Sequence, residues 1–190
     1  MTFDFAAARL NMLDGQVRTA DVTDYAIQDA IGAVARESLC PAEKRSVAYA
    51  DAEIAYAPGR YLMKPRDVAK LLQALRPRSG ERALAIAAPY AAAVMQAMGL
   101  AVDRLDEGDL SAPAGSDYDV IICEQAVSAA PAGWLNALAA GGRLALVERN
   151  GPVGKAKLYA NAASGLGCRE AFDATPPMLP GFEKKPQFAF

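Results

Sequence analysis

One chemistry-bearing residue type is absent from this sequence, and three groups of others stand out. The 190 residues contain no histidine. His-dependent triads, imidazole general bases and zinc sites built on imidazole are therefore excluded. Asp106, Glu107 and Asp109 stand almost adjacent, a spacing that suits an acidic loop facing either a ligand or water. Across residues 60–82, Arg60, Lys64, Arg66, Lys70, Arg76, Arg78 and Arg82 are opposed only by Asp67 and Glu81. Arg66 and Lys70 are four apart and share one helix face. Such a stripe suits an acidic protein partner or an RNA backbone, although charge runs are commonly solvated faces and no interleaved aromatics or glycine-rich RNA motif accompany this one. Cys40, Cys123 and Cys168 are odd in number, widely spaced and without a CxxC pair. They read as small buried side chains or inert thiols of a reducing, cytoplasmic protein.

Hydrophobic residues make up 53% of the chain and charged residues 22%, enough to bury a core in a single compact domain. The formal net charge of −2 argues against wrapping nucleic acid, which needs surplus cations. The opening MTFDFAAARL has no basic segment followed by an apolar one, so it does not read as a signal peptide. Residues 83–102 carry no formal charge and are long enough to raise the question of a membrane span. Their alanine richness, with Pro89 and Gln96 inside, favours a buried strand followed by a helix, with no membrane partner.

The elements that must position these groups fall into three zones. Residues 3–37 are patterned as helix, with apolar Leu10, Leu13 and Val17, then Tyr25, Ile27, Ile31 and Val34, and Asp21 or Thr23 as N-cap of the second helix. Residues 46–65 read as extended structure closed by Pro58-Gly59, and Pro65 opens a helix to about Leu75. Strand and helix then alternate: strand 82–87, helix 89–98, strand 100–105, strand 119–123, a short helix 134–139, and strand 143–148 after Gly141-Gly142. Alternation of this kind predicts a parallel sheet with crossover helices. Two further strands, 156–162 and 168–173, and a final extended piece at 186–190 suggest hairpins at the end of that sheet. Trp134 and the phenylalanines are assigned to the core.

In order along the chain, several segments resemble the protein-L-isoaspartate O-methyltransferase family, a branch of the class I methyltransferases that use S-adenosylmethionine. Asn11-Met12-Leu13-Asp14-Gly15-Gln16-Val17-Arg18 is similar to the family's opening helix, and residues 61–75 to the segment before its cofactor domain. Tyr118-Asp119-Val-Ile-Ile resembles the Phe-Asp-Ala-Ile-Ile strand, and residues 138–147 the Leu-x-x-Gly-Gly-x-Leu strand entry. Phe172-Asp173-Ala174 with residues 179–182 is similar to the tails of some bacterial members. The resemblance implies a three-layer α/β, Rossmann-like sheet, with residues 1–80 as an N-terminal helical and extended segment and 81–190 as the core.

The resemblance also assigns site positions, and there the chain departs from the family. The cofactor turn, approximately Glu-Ile-Gly-x-Gly-x-Gly-Tyr, corresponds to Ala85-Ile86-Ala87-Ala88-Pro89-Tyr90, with every glycine absent. Glycines there allow positive φ and close backbone approach, and Pro89 removes an N–H. About one strand–helix unit is missing between Leu100 and Gly108-Asp109, which shortens the sheet at one edge. By the resemblance, Asp106 or Glu107 stands in for the ribose-side acid and Asp109 for the adenine-side acid. By resemblance, then, Ala87, Ala88, Tyr90, Asp106 and Asp109 are the cofactor-side positions. Met63 and Lys64 are the substrate-side positions, Met63 replacing a hydroxyl. No catalytic residue and no metal site is assigned. The expectation is a family member with lost or much reduced S-adenosylmethionine binding that acts through a partner. The alternative is an active carboxylate O-methyltransferase acting on isoaspartyl residues.

Overall fold

The computed structural model describes residues 3–184. Helix α1 (Phe5–Met12) runs on through a π turn at Leu13–Val17 and a 3₁₀ turn at Arg18–Ala20, and α2 spans Tyr25–Ala33. The α2 N-cap is Asp24, whose carboxylate accepts from the N–H groups of Ala26 and Ile27, and neither Asp21 nor Thr23 takes that role. Leu10 and Tyr25 are exposed, so the apolar stripe of these helices is narrower than their sequence pattern suggests.

Hairpin strands β1 (Ile54–Ala57) and β2 (Arg60–Leu62) turn at Pro58-Gly59. Helix α3 (Pro65–Leu75) follows with Pro65 in its first turn. Val68, Leu71, Leu72 and Leu75 are buried along one side of it, the period that seats an amphipathic helix on a core. A six-stranded sheet then forms from β3 (Arg82–Ile86), β4 (Ala101–Leu105), β5 (Tyr118–Val127), β6 (Leu138–Glu148), β7 (Gly154–Ala162) and β8 (Gly165–Ala174). Its order is β4-β3-β5-β6-β7-β8. β3 is parallel to β4 and β5, and β5 to β6, whereas β7 and β8 are antiparallel additions. The charge-free run 83–102 is therefore the strand β3 and helix α4 (Pro89–Ala97), and no helix among the described residues is long and apolar enough to cross a membrane.

β5 and β6 are longer than the sequence pattern suggests. Every residue from Val120 to Val127 is buried, as expected where both faces of a parallel strand are covered. That burial includes Glu124 and Gln125, which interrupt the apolar run at sequence level. Gly141-Gly142 lies inside β6, where the register with β5 shifts. Gly141 takes a φ of 80°, and a Cβ on Gly142 would stand 2.6 Å from the Tyr118 carbonyl oxygen. The glycines form a bulge within the strand and do not precede it.

α1 to α4 cover one face of the sheet and share a core with Val120, Ile122 and Ala145. The other face is thinner. Trp134 of α5 (Ala132–Asn136), Leu110 and Leu179 pack there on Ile121, Leu144 and Leu146. β4 is the outer strand, and residues 106–117 reach β5 without a further helix or strand, so the sheet ends where the sequence pattern shortens it. The extended piece at 186–190 lies outside the described residues.

Candidate functional site

The sheet order reverses at β3, between β4 and β5, and open α/β sheets meet ligands at the carboxyl ends of the strands at such a point. Here β3 passes into α4 through two residues, Ala87 and Ala88. Ala87 has a φ of 45°, a left-handed conformation that costs a residue bearing a Cβ roughly 1–2 kcal/mol and that glycine takes freely. A glycine-type turn is thus made with alanine. Ala85, Ala87, Ala88 and Tyr90 are fully buried.

α4 has no cap from its own flanking side chain. Its free N–H groups are met by Glu124 of β5. The Ala91 N–H donates to the Glu124 carboxylate at 2.7 Å, and the Met63 N–H donates to its second oxygen at 3.1 Å. A carboxylate at a helix N-terminus is favourably placed against the helix dipole. Glu124 is fully buried, and that burial raises its carboxyl above the ordinary range, opposed by the Ala91, Met63 and Tyr90 N–H groups and by Arg36.

Arg36, from the 3₁₀ turn Arg36–Leu39, is fully buried as well. Its Nε donates to the Ala48 carbonyl at 2.9 Å and its Nη2 to the Met63 carbonyl at 2.6 Å. The guanidinium lies 4.4 Å from the centre of the Tyr90 ring. Arg36 Nη1 and the Tyr90 hydroxyl are buried without a hydrogen-bond partner, and burial raises the Tyr90 phenol. Beside the turn, then, a cation, an aromatic ring and a carboxylate from three distant segments pack together.

The strand ends are also roofed. Gln125 accepts from the Tyr61 N–H at 3.3 Å and donates to the carbonyls of Gly59 at 3.0 Å and Met178 at 3.3 Å. Ala126 and Ser128 of the β5 end exchange backbone hydrogen bonds with residues 177–182. Trp134 Nε1 donates to the Leu110 carbonyl at 2.6 Å, and its ring lies 5.4 Å from that of Phe182. The opening left at this end is a shallow cleft of about 440 Å³ between Arg60, Asp109, Ser128 and Phe182.

The residues singled out from the sequence are dispersed by the fold. Ala87, Ala88 and Tyr90 sit in the closed corner and line none of the clefts described. Met63 is fully buried, its backbone held between Arg36 and Glu124. Lys64 is paired with Glu53 at 3.7 Å. Asp106 is paired with Arg104 at 2.7 Å. Asp109 lines the 440 Å³ cleft, but its carboxylate accepts from both the N–H and the hydroxyl of Ser111, which hold it below the ordinary carboxylate range. Among the described residues no group of three His, Cys, Asp or Glu side chains could hold a metal ion. Two residues that dominate the corner, Arg36 and Glu124, escape sequence reasoning. The one available signal was an acid inside the apolar run Val120–Val127. Cys40 and Cys123 are buried as expected, whereas Cys168 is exposed, because it lies on the outermost strand.

Helices over a sheet that is parallel through β4-β3-β5-β6 and extended by antiparallel strands define a Rossmann-like, methyltransferase-type protein. Two solved structures share this fold. One, a protein-L-isoaspartate O-methyltransferase, superposes with a TM-score of 0.75 over 92% of this chain and 67% of its own, at 19% identity. The other is a Plasmodium falciparum structure described as a protein-L-isoaspartate O-methyltransferase in complex with S-adenosyl-L-homocysteine. It superposes with a TM-score of 0.76 over 90% of this chain and 97% of its own, at 15% identity. In sequence, the chain is 34% identical over 206 aligned positions to a Methylorubrum populi protein-L-isoaspartate O-methyltransferase, covering 92% of this chain and 96% of that one. It is 30% identical to a Rhodopseudomonas palustris protein-L-isoaspartate O-methyltransferase 1, over 75% of this chain and 69% of that one. No family model matches. The chain belongs to the protein-L-isoaspartate O-methyltransferase family.

Proposed function

We propose that this chain is a protein-L-isoaspartate O-methyltransferase-like protein that does not bind S-adenosylmethionine at the family's position and acts through a binding partner. The observation that carries this reading is Glu124, whose carboxylate accepts from the Ala91 N–H at the start of α4 and from the Met63 N–H beside it. A ligand approaching there would have to expel it. Each hydrogen bond to a charged group contributes about 1.5–3 kcal/mol. Giving up two weakens binding by on the order of 10²–10⁴-fold. The two-residue turn adds to this, since Ala87 and Ala88 each carry a Cβ where glycine would leave bare backbone, and both are fully buried. The residues present do not fit the cofactor.

Calorimetric titration with S-adenosylmethionine and S-adenosylhomocysteine tests the reading directly. No heat beyond dilution up to millimolar ligand is expected, and saturable binding at micromolar ligand would overturn it.

The 34% identity to a named protein-L-isoaspartate O-methyltransferase over nearly the whole chain favours a second reading, an active methyltransferase acting on isoaspartyl carboxylates. The absence of histidine is no obstacle to it, because a carboxylate nucleophile is already ionised at neutral pH and alignment with the methyl donor supplies most of the catalysis. Methyl transfer to an isoaspartyl peptide above background would establish it.

A further inference from the structure

Two adjoining clefts lie at the opposite end of the sheet from the corner, where the parallel strands begin. One, of about 790 Å³, runs between α3, the entry to α2 and the outer strand β8. Its walls include Lys70, Gln73, Arg76, Arg78, Arg169 and Phe172. A second, of about 690 Å³, adjoins it and shares Ala74, Arg76, Arg78 and Arg169.

Of the seven cations in the stripe of residues 60–82, Arg60 lines the 440 Å³ cleft at the other end, and the other six fall into two sets. Lys64 pairs with Glu53, Arg66 with Asp51 and Asp67, and Arg82 with Asp103. Lys70, Arg76 and Arg78 have no carboxylate partner among the described residues, and they are joined in the cleft by Arg169 from β8, far away in sequence. Of the acids nearby, Asp24 is committed to the α2 N-cap and Glu81 to Arg143. Asp119 accepts from the Arg82 N–H. The cleft therefore holds four cations that lack a carboxylate partner among the described residues, against the negative charges of Asp21 and Asp24. Arg76 also takes a left-handed φ of 50° at the end of α3, a position that glycine usually occupies.

A second feature narrows the kind of partner. β8 is the last strand of the sheet. Its residues 165–171 are exposed, and its outer backbone edge pairs with no other strand among the described residues. Open edges of this length invite a further strand, and extended peptides are bound in this way when main-chain hydrogen bonds supply affinity and alternate side chains supply specificity. Arg169 lies opposite Leu158 and Phe172 opposite Ala156. An irregularity between these pairs puts both residues on the cleft side. A strand repeats its side-chain direction every second residue, so alternate side chains of an added strand would face the four cations.

We infer that this groove binds an extended, acidic polypeptide segment added to the free edge of β8, with alternate carboxylates meeting Arg169, Arg76, Arg78 and Lys70. Nucleic acid fits less well. The ring of Phe172 is covered by the Lys70 ammonium at 4.5 Å and is not free to stack on a base, and a phosphate backbone makes no use of an open strand edge. The inference does not depend on the fate of the cofactor corner.

The experiment uses the full chain and a fluorescent ten-residue peptide with glutamate at alternate positions separated by threonine and valine. Anisotropy should show saturable binding that weakens as salt rises from 50 to 200 mM, because charge contacts are screened. The triple variant R76A/R78A/R169A, at exposed positions, should keep the wild-type melting temperature and lose at least about ten-fold in affinity. A peptide methylated on alternate backbone nitrogens should lose binding as well, since strand addition needs those N–H groups. Absence of binding, an unchanged affinity in the triple variant, equal binding of the methylated peptide, or tighter binding of a single-stranded oligonucleotide would each overturn the proposal.

Discussion

Replacing Arg36 with methionine tests whether the closed corner is held by its internal charges. The Arg36 guanidinium donates to two carbonyls, at 2.9 and 2.6 Å, and stacks at 4.4 Å on Tyr90. Two hydrogen bonds from a charged donor contribute about 1.5–3 kcal/mol each, and a desolvated cation over a ring about 2 kcal/mol. Against that stands the several kcal/mol needed to bury a cation. Methionine removes this cost along with the interactions, but it leaves the Ala48 and Met63 carbonyls unpartnered and deprives buried Glu124 of a nearby positive charge. Removing one member of a buried charged network costs about 3–5 kcal/mol in such circumstances. In a chain of this size that corresponds to a fall in Tm of about 6–20 °C. Thermal and urea melts followed by circular dichroism measure it, with the urea m-value reporting whether the same surface is exposed on unfolding. A loss below about 1 kcal/mol, with an unchanged m-value, would refute the assignment of Arg36 as the post on which the corner is built.

Two further predictions concern titration and thiol access. Because burial raises the Glu124 carboxyl in the folded state, the native protein holds that proton more tightly than the unfolded chain. The contribution to stability is then fully present below the unfolded value of about 4.3 and is lost as pH rises through the folded value, by at most about 1.4 kcal/mol per pH unit. Buried Asp67 shifts in the same direction, so the informative quantity is the difference between E124Q and wild type. In urea melts between pH 4.5 and 8 the variant should gain on the wild type as pH rises, and a constant difference would contradict the assigned shift. Maleimide labelling of the native chain should modify Cys168 alone, since Cys40 is buried with its thiol raised by burial and Cys123 is fully buried and pushed up to about 12. Two or three labelled thiols under native conditions would show that the core opens readily.

Local pattern was sufficient for elements whose signals lie within a few residues. Pro65 followed by the apolar spacing through Leu75 specifies α3, and Pro58-Gly59 specifies the hairpin turn. The charge-free run 83–102 resolves into strand and helix at Pro89 because proline suits a first helical turn. Boundaries failed where pairing overrides propensity. β5 continues through Glu124 and Gln125 because both find buried partners, and β6 begins before Gly141-Gly142 because a bulge absorbs them. The absence of glycine at Ala85–Tyr90 was legible, but what fills the space was not.

Residue types at short spacing are enough to specify the α/β class, the shortened outer edge of the sheet and the absence of a glycine turn. That Arg36 and Glu124 close the corner, and that Arg169 joins Arg76 and Arg78 in an open groove, follows from long-range packing. Whether a charge is neutralised, buried or free depends on which distant element packs within about 4 Å of it. Lys64, Arg66 and Arg82 acquire partners at Glu53, Asp51 and Asp103 while Lys70, Arg76 and Arg78 do not, a distinction that appears only when the strands and helices are brought together.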